Sequence, residues 1–251
     1  PVRLANTREA DMLSSPGRPG LQSRVRLAAR NDGTLLGADI EFLFDSGGYG
    51  DYAVNVSRAA AISCTGPYNI PNVKTDSLCV YTNHPFATAF RGFGHIELSY
   101  ATERAMDLLA ECLKMDPAAL RLKNAIREGD LTPTGAPMDE NTGDLPACLA
   151  KVKARLEWDS KPHRVVLPDG KIRAKGISCF WKAPAIPTFT DAGAVLYFAD
   201  DGSATLATGA IEIGQGAHDG LRMLVAEALK TDLDHVRVTR HVDTDRSPHD
   251  W

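Results

Sequence analysis

Two short stretches carry residue types and spacings suited to ligand chemistry. In Phe90-Arg91-Gly92-Phe93-Gly94-His95, an arginine and an aromatic are interleaved with glycines directly before a helical pattern. In Glu212-Ile213-Gly214-Gln215-Gly216-Ala217-His218, two glycines flank a glutamine between a strand pattern and another helix. Glycine reaches torsions that strain other residues, and a helix N-terminus offers unpaired N–H groups to an anion. Arg91 would be a fixed positive fork beside such an anion, with Phe93 a flat apolar surface next to it. Together the two junctions suit a bulky phosphate-containing cofactor. The same residues also describe plain tight turns with Phe93 in the core, because short glycine motifs match easily. Neither spacing is that of a P-loop or of a dinucleotide Gly-x-Gly-x-x-Gly turn.

The elements that must position these stretches follow from periodicity. Residues 1–20 are rich in turn formers and read as an irregular lead-in. From Leu21 to Asp45, Val25, Leu27 and Ala29 alternate with arginines, Asn31-Asp32-Gly33 turns, and Leu36, Ala38, Ile40, Phe42 and Phe44 alternate on the return, which predicts a hairpin. A glycine-rich loop over Asp45–Tyr52 leads to a helix over Ala53–Cys64 with Arg58 in its middle, then a strand over Val73–Asn83. Behind Gly94 a helix to Leu113 places Ala101, Ala105, Leu108, Leu109 and Cys112 on one stripe, with Glu103 toward solvent or the stripe's edge. Asp116-Pro117 and Asp144 with Pro146 start two further helices, ending near Ile126 and Trp158.

A polar connector after Ser160 divides the chain into a first segment, 1–159, and the start of a second, 160–251. The second reads as strands over Ile172–Trp181, Ala192–Phe198 and Ala204–Ile213, a helix with Leu221, Leu224, Val225 and Leu229 on its apolar side, and a last strand at Val236 and Val238. Hairpins and mixed sheets alternating with helical blocks give an α+β class.

Composition excludes several functions. A net charge of −4 lacks the basic surplus of a nucleic-acid binder, and no stretch has the roughly 18 apolar residues of a membrane span. Five dispersed cysteines without a C-x-x-C pair argue against a disulfide framework, a zinc site or an iron–sulfur cluster on this chain. Buried thiols in a cytoplasmic setting are expected. Pro1 stands where an initiator methionine would, so the chain is either processed or, as expected, an internal piece of a longer protein.

The run Phe90-Arg91-Gly92-Phe93-Gly94, then Glu103-Arg104-Ala105-Met106-Asp107-Leu108-Leu109-Ala110, Asp116-Pro117 and Leu120-Arg121-Leu122-Lys123-Asn124, resembles the molybdenum-binding large subunit of the xanthine dehydrogenase and aldehyde oxidase family. Glu212-Ile213-Gly214-Gln215-Gly216 is similar to that family's second cofactor loop, and the resemblance also takes in Pro1-Val2-Arg3-Leu4 and Gly66-Pro67-Tyr68-Asn69-Ile70-Pro71-Asn72. It implies a molybdenum hydroxylase that oxidises an aldehyde or a xanthine-like N-heterocycle with water-derived oxygen. The implied cofactor is a molybdenum–pterin group, often extended to a dinucleotide in bacteria, with iron–sulfur clusters and FAD on other domains or subunits. The implied partners are those domains, the rest of the large subunit and a small-molecule substrate. By the resemblance, Arg91, Gly92, Gly94, Gly214, Gln215 and Gly216 lie against the cofactor, while Phe93 and Arg58 face the substrate. No metal ligand is implied on this chain.

The chain also departs from the family pattern. His95-Ile96-Glu97 replaces the usual small residue, proline and glutamine. His95 reads as a pocket acid or base, or as a helix N-terminal residue without chemistry. Glu97 reads as a base, or as the acidic residue that a first helical turn favours. His218 and Asp219 alone do not make a metal site. The family's catalytic base, a glutamate in a Gly-Glu pair, is expected beyond Trp251, so this piece alone is expected to be inactive. A non-catalytic assembly or binding module of the same ancestry is the alternative.

Overall fold

A computed structural model describes residues 5–182, 192–212, 214–240 and 248. Packing divides the chain into two units, Pro1–Pro184 and Ala185–Trp251.

The first unit opens with helix α1 (Arg8–Ser14). The irregular lead-in expected there is corrected: Thr7 accepts a hydrogen bond from the Ala10 amide at 3.2 Å and caps the helix, which buries no residue. Capping alone starts this element, and no hydrophobic period announces it.

The expected hairpin is present. Strand β1 (Gly20–Ala29) pairs antiparallel with β2 (Leu35–Gly47), with Val25 opposite Ile40. Alternate residues Ile40, Phe42 and Phe44 point into the core. The chain crosses through α2 (Ala53–Ile62) to β3 (Val73–Tyr81), which runs parallel to β2, so the sheet order is β1-β2-β3. A parallel return needs such a crossover.

Helix α3 (His95–Leu113) presents a different face from the one expected. Leu98, Ala101, Thr102, Glu103, Met106 and Ala110 are buried, whereas Leu108 and Cys112 are exposed. The apolar count failed because Glu103 faces inward with its charge matched by Arg121 of α4 (Pro117–Asn124). Asp116 caps α4 through the Ala119 amide at 2.8 Å, and Asp144 caps α5 (Leu145–Arg155).

A small antiparallel pair follows, β4 (Arg164–Val166) with β5 (Ile172–Ala174). The strand expected to reach Trp181 ends at Ala174. Beyond it, the Cys179 amide donates to Glu103 Oε2 at 3.0 Å and the Trp181 indole to the Ser63 carbonyl at 3.3 Å. The first unit therefore packs past the polar connector at Ser160.

In the second unit, β6 (Ala194–Phe198) pairs antiparallel with β7 (Ala204–Thr208), shorter than the expected reach to residue 213. Helix α6 (Ala217–Leu229) then returns the chain to β8 (Val236–Val238), parallel to β7. Ala226 is buried on α6, while Leu224, expected on the apolar side, is exposed.

Among the described residues no helix is long and apolar enough to cross a membrane. Cys64 and Cys179 are buried, but Cys112 and Cys148 are exposed on α3 and α5, against the expectation of buried thiols.

Candidate functional site

The first glycine turn is held from three sides. Gly92 and Gly94 adopt φ of 115° and 86°, and Phe93 between them is also left-handed at 51°. A Cβ on Gly94 would stand 2.4 Å from the Val56 carbonyl oxygen of α2. On Gly92 it would meet the Ile96 side chain at 2.6 Å. Gly94 is thus required by backbone packing as well as torsion, and Gly92 by its left-handed torsion.

Behind the turn lies His95, the first residue of α3 and fully buried. Its Nδ1 lies 3.1 Å from the carbonyls of both Gly92 and Phe93, and its Nε2 lies 3.2 Å from Ser63 Oγ. One consistent assignment has Nδ1–H donating to the carbonyls and Nε2 accepting from the serine. Burial, the largest influence, holds its pKa below the ordinary value, and these contacts tie the ring to the turn.

Sequence reasoning missed Arg18. Its guanidinium donates to the Arg91 carbonyl at 2.7 Å, pairs with Glu97 at 3.0 Å and stands 4.9 Å over the Phe90 ring. Glu97 is thus an ion-pair partner, with its second oxygen buried and without a hydrogen-bond partner among the described residues. The one available signal was a charged residue amid the turn formers of Pro16-Gly17-Arg18-Pro19-Gly20.

Arg91 itself is exposed. Phe93 is half-buried against the core, its ring edge-on to Tyr52 at 6.3 Å, which brings the end of the glycine-rich loop to the motif. Arg58 is exposed on α2, the helix whose backbone Gly94 touches.

The second turn, in the other unit, is built differently. Gly214 and Gly216 have φ of 100° and 81°, yet a Cβ on either would meet nothing within 4 Å among the described residues. Torsion demands glycine there, and the face it leaves bare is open. The Glu212 carboxylate folds under the turn, accepting from the Gly214 and Gly216 amides at 2.6 and 3.1 Å and from the His218 amide at 3.2 Å. These backbone donors, Gly216 foremost, hold its pKa below the ordinary carboxylate value. Gln215 Nε2 donates to the Ile211 carbonyl at 2.7 Å, and the His218 imidazole meets the Ala210 carbonyl at 2.9 Å. His218 is therefore engaged in the turn, and no group of three potential metal ligands occurs among the described residues.

Each unit thus combines helices with a small mixed sheet and carries a left-handed glycine turn at the head of a helix. The chain belongs to the molybdopterin cofactor-binding family: models described as molybdopterin cofactor-binding domain match residues 1–125 and 151–251. It is 32% identical over 253 residues to the xanthine dehydrogenase molybdenum-binding subunit of Escherichia coli, covering all of this chain and 34% of that protein. To the aldehyde oxidoreductase of Megalodesulfovibrio gigas it is 33% identical over 234 residues, covering 92% of this chain and 25% of that one. The solved aldehyde oxidoreductase from Desulfovibrio gigas superposes with a TM-score of 0.69 at 29% identity, over 88% of this chain and 25% of its own. The chain thus spans about a third or less of these relatives. Within each unit the residues are of a kind that suits the implied group: the glycine turn of the second leaves space for a flat ring system, and the exposed Arg91 guanidinium of the first suits a phosphate.

Proposed function

We propose that the protein containing this chain is a molybdenum hydroxylase, oxidising an aldehyde or a xanthine-like N-heterocycle with oxygen derived from water. The observation that carries the reading is the match of both segments to molybdopterin cofactor-binding domains, each with a left-handed glycine turn at the head of a helix. In this reading Arg91, Gly92, Gly94, Gly214, Gln215 and Gly216 hold the molybdenum–pterin cofactor, the loop at Gly92 and Gly94 by its shape. When bound, that group supplies the redox centre.

The chain's own residues bind and orient. The fixed turn at Gly92–Gly94 sets where Arg91 projects, and Phe93 and Arg58 are proposed for the substrate side, an aromatic edge and a cation suited to a polar heterocycle. The catalytic glutamate, iron–sulfur clusters and FAD are proposed to lie outside this chain, in a cytoplasmic assembly. Turnover of aldehydes and N-heterocycles by the full-length protein in isotopically labelled water tests the reading. Label in the product supports it, and oxidation without label, or none across both classes, overturns it.

A further inference from the structure

The second turn carries more information than its glycines. Three alternate donors, the amides of Gly214, Gly216 and His218, all end on one carboxylate, that of Glu212, which lies only two residues before the turn. The two polar side chains of the turn are tied back as well, Gln215 to the Ile211 carbonyl and His218 to the Ala210 carbonyl. The turn is therefore closed on itself at the head of α6.

We infer that Glu212 is the positioning residue of this loop: it occupies the amide nest itself, fixes both left-handed glycines, and leaves the bare glycine face, not the N–H groups, to meet a ligand. Two physical arguments carry this. Each amide has one proton, and Glu212 has taken those of Gly214, Gly216 and His218. A carboxylate already seated at a helix N-terminus adds a fixed negative charge there, so a second anion is repelled where a bare nest would attract it. The shaping of the turn stands on the contacts alone, whereas the contact with a cofactor's ring through the glycine face rests on the reading given above.

Hydrogen–deuterium exchange on the full-length protein tests both halves. In cofactor-free protein, the peptide spanning Gly214–His218 is expected to be protected, and E212A to raise its exchange by about tenfold, the loss of charge-assisted hydrogen bonds. E212Q, which keeps one acceptor oxygen, is expected to fall between. Peptides of β6 and β7, in the same unit, serve as the folding control: the comparison uses whichever of the two variants leaves them unchanged. Unaltered exchange in that variant overturns the positioning role. Loading cofactor into the wild type is expected to leave amide protection nearly constant. A gain in protection confined to these amides would show them reserved for the cofactor, overturning the second half while leaving the molybdenum reading intact. Absence of molybdenum in the wild type, with protection retained, would instead remove that reading and leave the role of Glu212 standing.

Discussion

Glu103 and Arg121 meet inside the first unit, with Oε2 and Nε 2.8 Å apart and the arginine side chain wholly buried. Tyr68 donates to the other carboxylate oxygen at 2.5 Å, the Cys179 amide donates to Oε2 at 3.0 Å, and Arg121 also reaches Asp107 at 2.9 Å. One carboxylate thus joins α3, α4, the Gly66–Asn72 segment and the stretch after β5. Removing the guanidinium with R121L strands a buried charge, and the expected loss is about 3–5 kcal/mol in urea unfolding. The double variant E103L/R121L is expected to recover part of it. Equal stability of the single variant and the wild type would contradict the pairing.

The two glycine turns are expected to respond oppositely to alanine. At Gly94 a Cβ collides with the α2 backbone, so G94A is expected to destabilise the first unit by at least about 3 kcal/mol, read from its melting curve. G214A meets no neighbour among the described residues and costs chiefly its left-handed torsion, about 1–2 kcal/mol. Its larger expected effect is on molybdenum retained by the full-length protein, since the new methyl stands on the open face.

His95 gives stability a pH dependence. Its folded pKa lies below the ordinary value of 6.5, chiefly because burial disfavours the cation. Below that value the unfolded chain takes up the proton first, so stability is full above pH 6.5 and falls as pH drops toward the folded pKa. The slope attributable to this residue reaches at most about 1.4 kcal/mol per pH unit. H95Q is expected to flatten the stability profile between pH 7 and 5 relative to wild type. Parallel profiles would contradict a neutral, buried imidazole.

Arg91 and Arg58 are exposed, so replacing either leaves the fold nearly untouched, within about 0.5 kcal/mol. R91A keeps the backbone carbonyl that Arg18 holds and is expected to lower molybdenum content of the full-length protein. R58A is expected to leave molybdenum unchanged and raise KM. Interchanged effects would reverse the two assignments.

Where local patterning decides an element, the sequence was legible. The alternation of Ile40, Phe42 and Phe44 announced β2, and Asp116-Pro117 announced the start of α4. The face of α3 was not, because a charged Glu103 counts as solvent-facing until its partner, 18 residues on, is brought against it. Arg18 reaches Glu97 across 79 residues of sequence, which no spacing rule spans. The stretch after Ala174 takes its path from hydrogen bonds to Glu103 and Ser63, so its apolar pattern alone suggested a longer strand. The glycine turns were visible as motifs, but crowding at Gly94 and openness at Gly214 are properties of the packed chain. Thr7 and Glu212 were readable signals that a hydrophobic count passes over, since both act through local hydrogen bonds.

The measurement that bears most directly on the account is quantitation of molybdenum and phosphorus in the purified full-length protein, from a host able to make the cofactor. Near-stoichiometric molybdenum accompanied by pterin phosphorus is the predicted result. Protein that is folded and free of molybdenum would contradict the proposed hydroxylase and leave a binding module of the same ancestry.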